Sequence, residues 1–139
     1  MELQLESISR GNERILFLDD NETIVNLARN MLQYLGYKVT IFTDVQEALK
    51  AFSEKPSEFD LVIIDYVMPD LTGVNVAEEM IRIRADIPII LCTEDSELIS
   101  SKKAVALGFR GLILKPFNYR EFAGLVRHVL DQKEQKLSR

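Results

Sequence analysis

The sequence predicts an α/β fold of the doubly wound type, a parallel sheet with helices on both faces. Three observations predict it. Short apolar runs alternate strictly with amphipathic stretches, five of each. The runs are rich in Ile, Val and Leu and nearly continuous, which suits strands buried on both faces. The chain has 139 residues, enough for one domain, and its 47% hydrophobic and 28% charged residues are ordinary for a soluble globular protein.

Taken in order, residues 1–12 are polar and charged and read as a lead-in or linker, ahead of a domain spanning 13–132. Ile15–Leu18 is the first strand. The next stretch puts Ile24, Leu27, Ala28, Met31 and Leu35 on one helical face, and Gly36 stops it. Val39–Phe42 is the second strand. Thr43 and Gln46 fit a capping box for a helix carrying Val45, Ala48, Leu49 and Phe52 on one face. Leu61–Ile64 is the third strand, followed by a helix from about Gly73 to Arg84 that ends before Pro88. Ile89–Cys92 is the fourth strand. A helix follows from about Ser96 to Leu107 and stops at Gly108. Leu112–Leu114 is the fifth strand. The last helix has Asn118 as N-cap, Glu121 three residues later, and Phe122, Leu125, Val126 and Val129 on its buried face. The charged tail, 133–139, either extends that helix or frays. Five such units suit a flavodoxin-like sheet of order 2-1-3-4-5 with five helices.

Composition excludes several functions. With 22 acidic and 17 basic residues the net charge is −5, so direct nucleic-acid binding is not expected. The single His128 excludes a multi-histidine metal site and disfavours a Ser-His-Asp triad. The single Cys92 allows no intrachain disulfide and fits a reducing compartment. No run is long enough to span a membrane and the start has no signal-peptide core, so a cytoplasmic location without membrane insertion is expected. A domain of 13–132 also leaves little chain for an output module.

In open α/β sheets, sites form at the carboxyl ends of the strands. Here the first strand is followed by Asp19 and Asp20, the third by Asp65, the fourth by Thr93, and the fifth by Lys115 and Pro116. Singly, each has an ordinary structural reading: a turn Asp, a turn Thr, a solvated Lys. Jointly they put three carboxylates, a hydroxyl and an ammonium on one sheet edge. Crowded carboxylates repel unless a cation sits among them, and oxygen-only ligands favour Mg²⁺. Lys115 can pair with a phosphoryl oxygen as a point charge, and Thr93 can donate to another. A carboxylate nucleophile would then become an aspartyl phosphate.

The segments ILFLDD (15–20), IIDYVMPDLTG (63–73), IILCT (89–93) and LILKPF (112–117) resemble the receiver domain of two-component response regulators. The resemblance covers roughly residues 13–132. It implies that Asp65 accepts the phosphoryl group. It implies that Asp19 and Asp20 organise Mg²⁺, Asp20 being the direct ligand, with Asp65 and the backbone carbonyl of Val67 as further ligands. Thr93 and Lys115 would sense the phosphoryl group, and Pro116 matches a proline often preceded by a cis peptide bond. The implied partners are a sensor histidine kinase or a histidine phosphotransfer protein, and a downstream protein bound through about residues 96–133. The runs LCTEDSE and GFRGLILKPF resemble receivers attached to hybrid sensor histidine kinases in particular. The expectation is a signalling domain rather than an enzyme.

Two positions depart from the family pattern. Glu94 stands where the residue after the Thr is usually small, which predicts slowed dephosphorylation. Leu112 stands where an aromatic often precedes the Lys by three residues, which puts the usual inward swing of a ring in question and reads as a strand core residue. Two competing functions are carried. LFLDDNET faintly resembles the start of haloacid-dehalogenase-like phosphatases with Asp19 as nucleophile, although Asn21 replaces the second Asp expected there. A pseudo-receiver that binds partners without taking phosphate is the other.

Overall fold

The computed structural model describes residues 10–69, 71–94 and 99–137. β1 (Arg14–Leu18), β2 (Lys38–Phe42), β3 (Leu61–Asp65), β4 (Ile89–Thr93) and β5 (Gly111–Leu114) form one sheet of order β2-β1-β3-β4-β5. Every pairing is parallel. Among the described residues five α-helices connect and follow them: α1 (Glu22–Tyr34), α2 (Val45–Glu54), α3 (Gly73–Ile83), α4 (Ser101–Ala106) and α5 (Tyr119–Leu137). The expected doubly wound order is observed.

The near-continuous apolarity of the strands has a direct cause. Alternate side chains of each strand enter two different cores. Ile15, Phe17, Ile63, Ile90 and Cys92 pack with α1 and α5 on one face. Leu16, Leu18, Val62, Ile64 and Leu91 pack with α2, α3 and α4 on the other. A polar residue inside β1, β3 or β4 would therefore be buried whichever way it pointed. Cys92 is a buried free thiol, and Met31, Met68 and Met80 are buried core residues.

The elements differ from the sequence expectation in several details. α1 buries Val25, Ala28, Met31 and Leu32, while Leu27 is 45% exposed. Apolar residues cover a wide arc of this helix, and the sheet selects a stripe rotated from the expected one. The cap of α2 is Asp44, whose side chain accepts from the Glu47 N–H, rather than Thr43 with Gln46. α4 is shorter than expected: Ser100 caps it through the Lys103 N–H, and the described helix starts at Ser101. The expected start at Ser96 lies outside the described residues. Asn118 accepts from the Glu121 N–H at the head of α5, as expected. α5 continues to Leu137, past the boundary expected at 132.

The expected boundary at residue 13 also falls inside a packed segment. The Gly11 N–H donates to the Leu35 carbonyl at 3.1 Å. Arg127 donates to the Arg10 carbonyl at 3.1 Å.

Candidate functional site

The carboxyl edge of the sheet is drawn together by backbone bonds that continue the ladder. The Asp19 N–H donates to the Phe42 carbonyl, Tyr66 N–H to Cys92, and Lys115 N–H to Thr93. Asp65 and Thr93 are the last residues of β3 and β4, not the first residues of the loops after them. Strand backbone holds their Cα atoms, so both side chains are set by the sheet. Gly73 opens α3 where a Cβ would collide with the Asp65 carbonyl oxygen. Its N–H donates to Tyr66 at 2.8 Å. The glycine thereby lets the helix start directly beneath the site.

A cleft of about 380 Å³ opens over this edge, lined by Asp19, Asp20, Asn21, Asp65, Val67, Thr93, Glu94 and Lys115. Asp19, Asp65 and Thr93 are 1%, 5% and 1% exposed. Asp20 is exposed, and Val67 is 58% exposed at the rim. Lys115 Nζ lies 2.9 Å from Asp19 Oδ2 and 2.9 Å from Asp65 Oδ1. Asp19 Oδ1 accepts the Asn21 N–H at 3.0 Å. The Lys115–Pro116 peptide bond is cis. Leu112 is half-buried and packs into the core on the α2–α3–α4 face, which matches its expected role as a core residue.

The electrostatics follow from this crowding. Burial pushes the Asp65 carboxyl up from 3.8 to about 6, and Asp19 adds to the rise while Lys115 opposes it. Burial also raises Asp19, against the pull of the Asn21 N–H and Lys115. Burial works against the charged form of Lys115, but hydrogen bonds to Asp65 and Asp19 outweigh it and hold the ammonium above its ordinary value. One oxygen from each of Asp19, Asp20 and Asp65 can be chosen so that all lie within 4.8 Å of one another. Three hard oxygen donors opposed by one ammonium fit a hard divalent cation that keeps part of its water shell.

Sequence reasoning missed Asn21 as a contributor and singled out Glu94 without placing it. Asn21, which also caps α1 through the Ile24 N–H, lines the cleft and orients Asp19. Its position next to the acidic pair was the available signal. Glu94 is 80% exposed at its side chain, yet Oε1 stands 4.0 Å from Lys115 Nζ. It therefore reaches over the mouth rather than pointing away from the site.

Comparison with known proteins came out in one direction. Residues 15–127 match the family described as the response regulator receiver domain. The response regulator SaeR of Staphylococcus aureus is 31% identical over 121 residues, covering 87% of this chain and 52% of SaeR. The chain thus spans about half the length of the curated relatives it matches. A crystal structure of a response regulator receiver domain protein from Clostridium thermocellum superposes with a TM-score of 0.82 at 25% identity, covering 88% of this chain and 98% of that one. The response regulator TrrA from Thermotoga maritima, solved in complex with Mg²⁺ and BeF, gives a TM-score of 0.74 at 34% identity, covering 84% and 98%.

Proposed function

Because the chain belongs to the response regulator receiver family, we propose that it is a signalling switch that takes a phosphoryl group on Asp65. The observation that carries this reading is the contact of Asp65 with Lys115 at 2.9 Å inside a cluster of three carboxylates. Asp65 is the one carboxylate of the three that belongs to a central strand and also lines the cleft, so its backbone need not move when it reacts. Asp65 Oδ attacks the phosphorus of a phosphohistidine donor. The new O–P bond forms as the P–N bond breaks, and the donor imidazole leaves and takes up a proton.

Asp19, Asp20 and the Val67 carbonyl, together with Asp65, would hold Mg²⁺, with Asp20 as the direct ligand of the acidic pair. When bound, the ion supplies positive charge to the phosphoryl oxygens and to the carboxylates. Lys115 leaves Asp65 and pairs with a phosphoryl oxygen, and the Thr93 hydroxyl donates to another. Asn21 keeps Asp19 oriented through its N–H. Leu112, in place of an aromatic, stays in the core, so the switch runs through Thr93 and Lys115. Pro116 shapes the turn that leads Lys115 into the cleft.

The donor is a sensor histidine kinase or a histidine phosphotransfer protein. The downstream partner binds about residues 96–133, along the β5 edge of the sheet, which α4 and α5 flank from opposite faces. The domain of about 13–132, with residues 10–12 packed against it, acts on partners rather than turning over a substrate. No helix among the described residues is long and apolar enough to cross a membrane. The buried thiol of Cys92 is compatible with a cytoplasmic setting.

Labelling with acetyl phosphate and Mg²⁺ tests the reading. Wild type should gain one acid-labile phosphoryl group and Asp65→Asn none. Equal labelling of the two would overturn it, labelling at Asp19 would favour the phosphatase reading, and no labelling of wild type would favour a phosphate-independent module.

A further inference from the structure

β2 is an edge of the sheet, and among the described residues it pairs only with β1. The Lys38 N–H donates to the Glu13 carbonyl, and the Phe42 carbonyl accepts from the Asp19 N–H. Residues 38, 40 and 42 therefore turn their backbone groups toward β1. Alternation turns the N–H and C=O of Val39 and Ile41 the other way, out of the sheet. Val39, Ile41 and Phe42 are only half-buried, while every apolar residue of β1, β3 and β4 is buried. Lys38, Thr40 and Phe42 border a groove of about 480 Å³ that Ala51 and Phe59 also line.

This edge is complementary to itself. When two copies lie antiparallel about Thr40, Val39 of each faces Ile41 of the other, and every free N–H meets a free C=O. Thr40 then faces Thr40, a favourable cross-strand pair. The neighbouring registers fail. Centring on Val39 sets Ile41 against Tyr37, whose N–H already donates to the Leu32 carbonyl. Centring on Ile41 sets Val39 against Thr43, past the end of the strand. Charge agrees with the Thr40 register. Exposed Lys38 marks one end of β2, and exposed Asp44 and Glu47 lie beyond the other. Antiparallel pairing carries Lys38 of each copy over Phe42 of the other, toward Asp44 and Glu47, and sets no like charges opposite one another.

We propose that β2 is a dimerisation edge, and that its occupant is β2 of a second copy of this chain. The two five-stranded sheets become one continuous sheet. The contact lies at the edge opposite β5, so both β5 edges remain free at the two ends of the dimer. A partner with paired binding elements would meet two of them at once and gain avidity. The dimer follows from the fold and does not depend on Asp65 taking a phosphoryl group.

Sedimentation equilibrium on the full chain tests the proposal. Wild type should move from monomer toward twice that mass as concentration rises to about 1 mM, a range set by the small area of an edge contact. Thr40 is exposed, so Thr40→Lys leaves the fold intact while setting like charges opposite each other. It should weaken association by about fivefold or more. Thr40→Cys should form an interchain disulfide under mild oxidation, because residues directly opposite in this kind of pair have Cα atoms about 4.5 Å apart. Thr43→Cys, also exposed, should not link, and the buried Cys92 takes no part. If Thr40→Lys does not fold, the two cysteine variants decide by themselves. A chain that stays monomeric at about 1 mM, association indifferent to Thr40→Lys, or equal cross-linking at positions 40 and 43 would overturn the proposal.

Discussion

Lys115 Nζ stands 2.9 Å from Asp65 Oδ1 and at the same distance from Asp19 Oδ2, so one ammonium bridges two carboxylates delivered by different strands. The bridge neutralises only part of the cluster. Asp20 adds a third carboxylate and Glu94 a fourth at the mouth. Metal-free, the site stores repulsion that a bound cation can relieve, and four predictions follow from that imbalance.

Asp65 should make the metal-free protein less stable as pH rises. Its folded-state value is about 6 against an ordinary 3.8, so the native state binds the proton more tightly than the unfolded chain. Its contribution is fully present below about pH 4, falls between about 4 and 6, and stays lost above. Denaturation in EDTA should show Asp65→Asn more stable than wild type by about 1–2 kcal/mol at pH 7, with the difference vanishing near pH 4.

Removing the ammonium should have the opposite effect. Lys115→Ala leaves Asp19 and Asp65 buried without their cation, and should destabilise the metal-free protein by about 2–4 kcal/mol at neutral pH. Millimolar Mg²⁺ should restore part of that loss. Chemical denaturation with and without Mg²⁺ checks both statements.

Asp20 is exposed and forms no part of the Lys115 bridge, so its removal separates ion binding from folding. Asp20→Asn should change stability in EDTA by less than about 0.5 kcal/mol. Wild type at a Mg²⁺ concentration near one hundred times Kd should gain about 2.7 kcal/mol, and the variant should lose most of that gain. A thermal scan against Mg²⁺ concentration reads both.

Glu94 holds a negative charge 4.0 Å from the ammonium that would grip the phosphoryl group. A unit charge at that distance in a solvated setting is worth about 1 kcal/mol, or roughly fivefold in rate. Glu94→Ala should shorten the acyl-phosphate lifetime by about that factor and leave stability unchanged. Decay of the labelled protein after donor removal measures it, and an unchanged lifetime means that Glu94 does not act on the phosphoryl group.

The fold was legible because its signals are local. Each strand is a short apolar run between turn residues, and the helix ends at Gly36, Gly108 and Asn118 are announced by one or two residues. The candidate site was legible for a related reason. A parallel sheet puts the ends of β1, β3, β4 and β5 on one edge, so naming the strand ends names the cluster. Where local signals are degenerate, the reading slipped. Thr43 with Gln46 and Asp44 with Glu47 both fit a cap, and only the extended backbone at Asp44 decides between them. Ser96, Ser100 and Ser101 all suit the head of α4, and the described chain uses Ser100.

By itself, then, the sequence determined the order of elements, the two-faced burial of the strands and the residue types at the carboxyl edge. Tertiary structure alone decided which carboxylates Lys115 bridges, that Glu94 leans over the cleft, which stripe of α1 faces the sheet, and that Glu13 meets Arg127. The physical reason is common to all four. Periodicity and capping act over a few residues along the chain, whereas an ion pair or a helix rotation is set by distance and burial in space. No local pattern links residues 13 and 127 until the sheet brings them together.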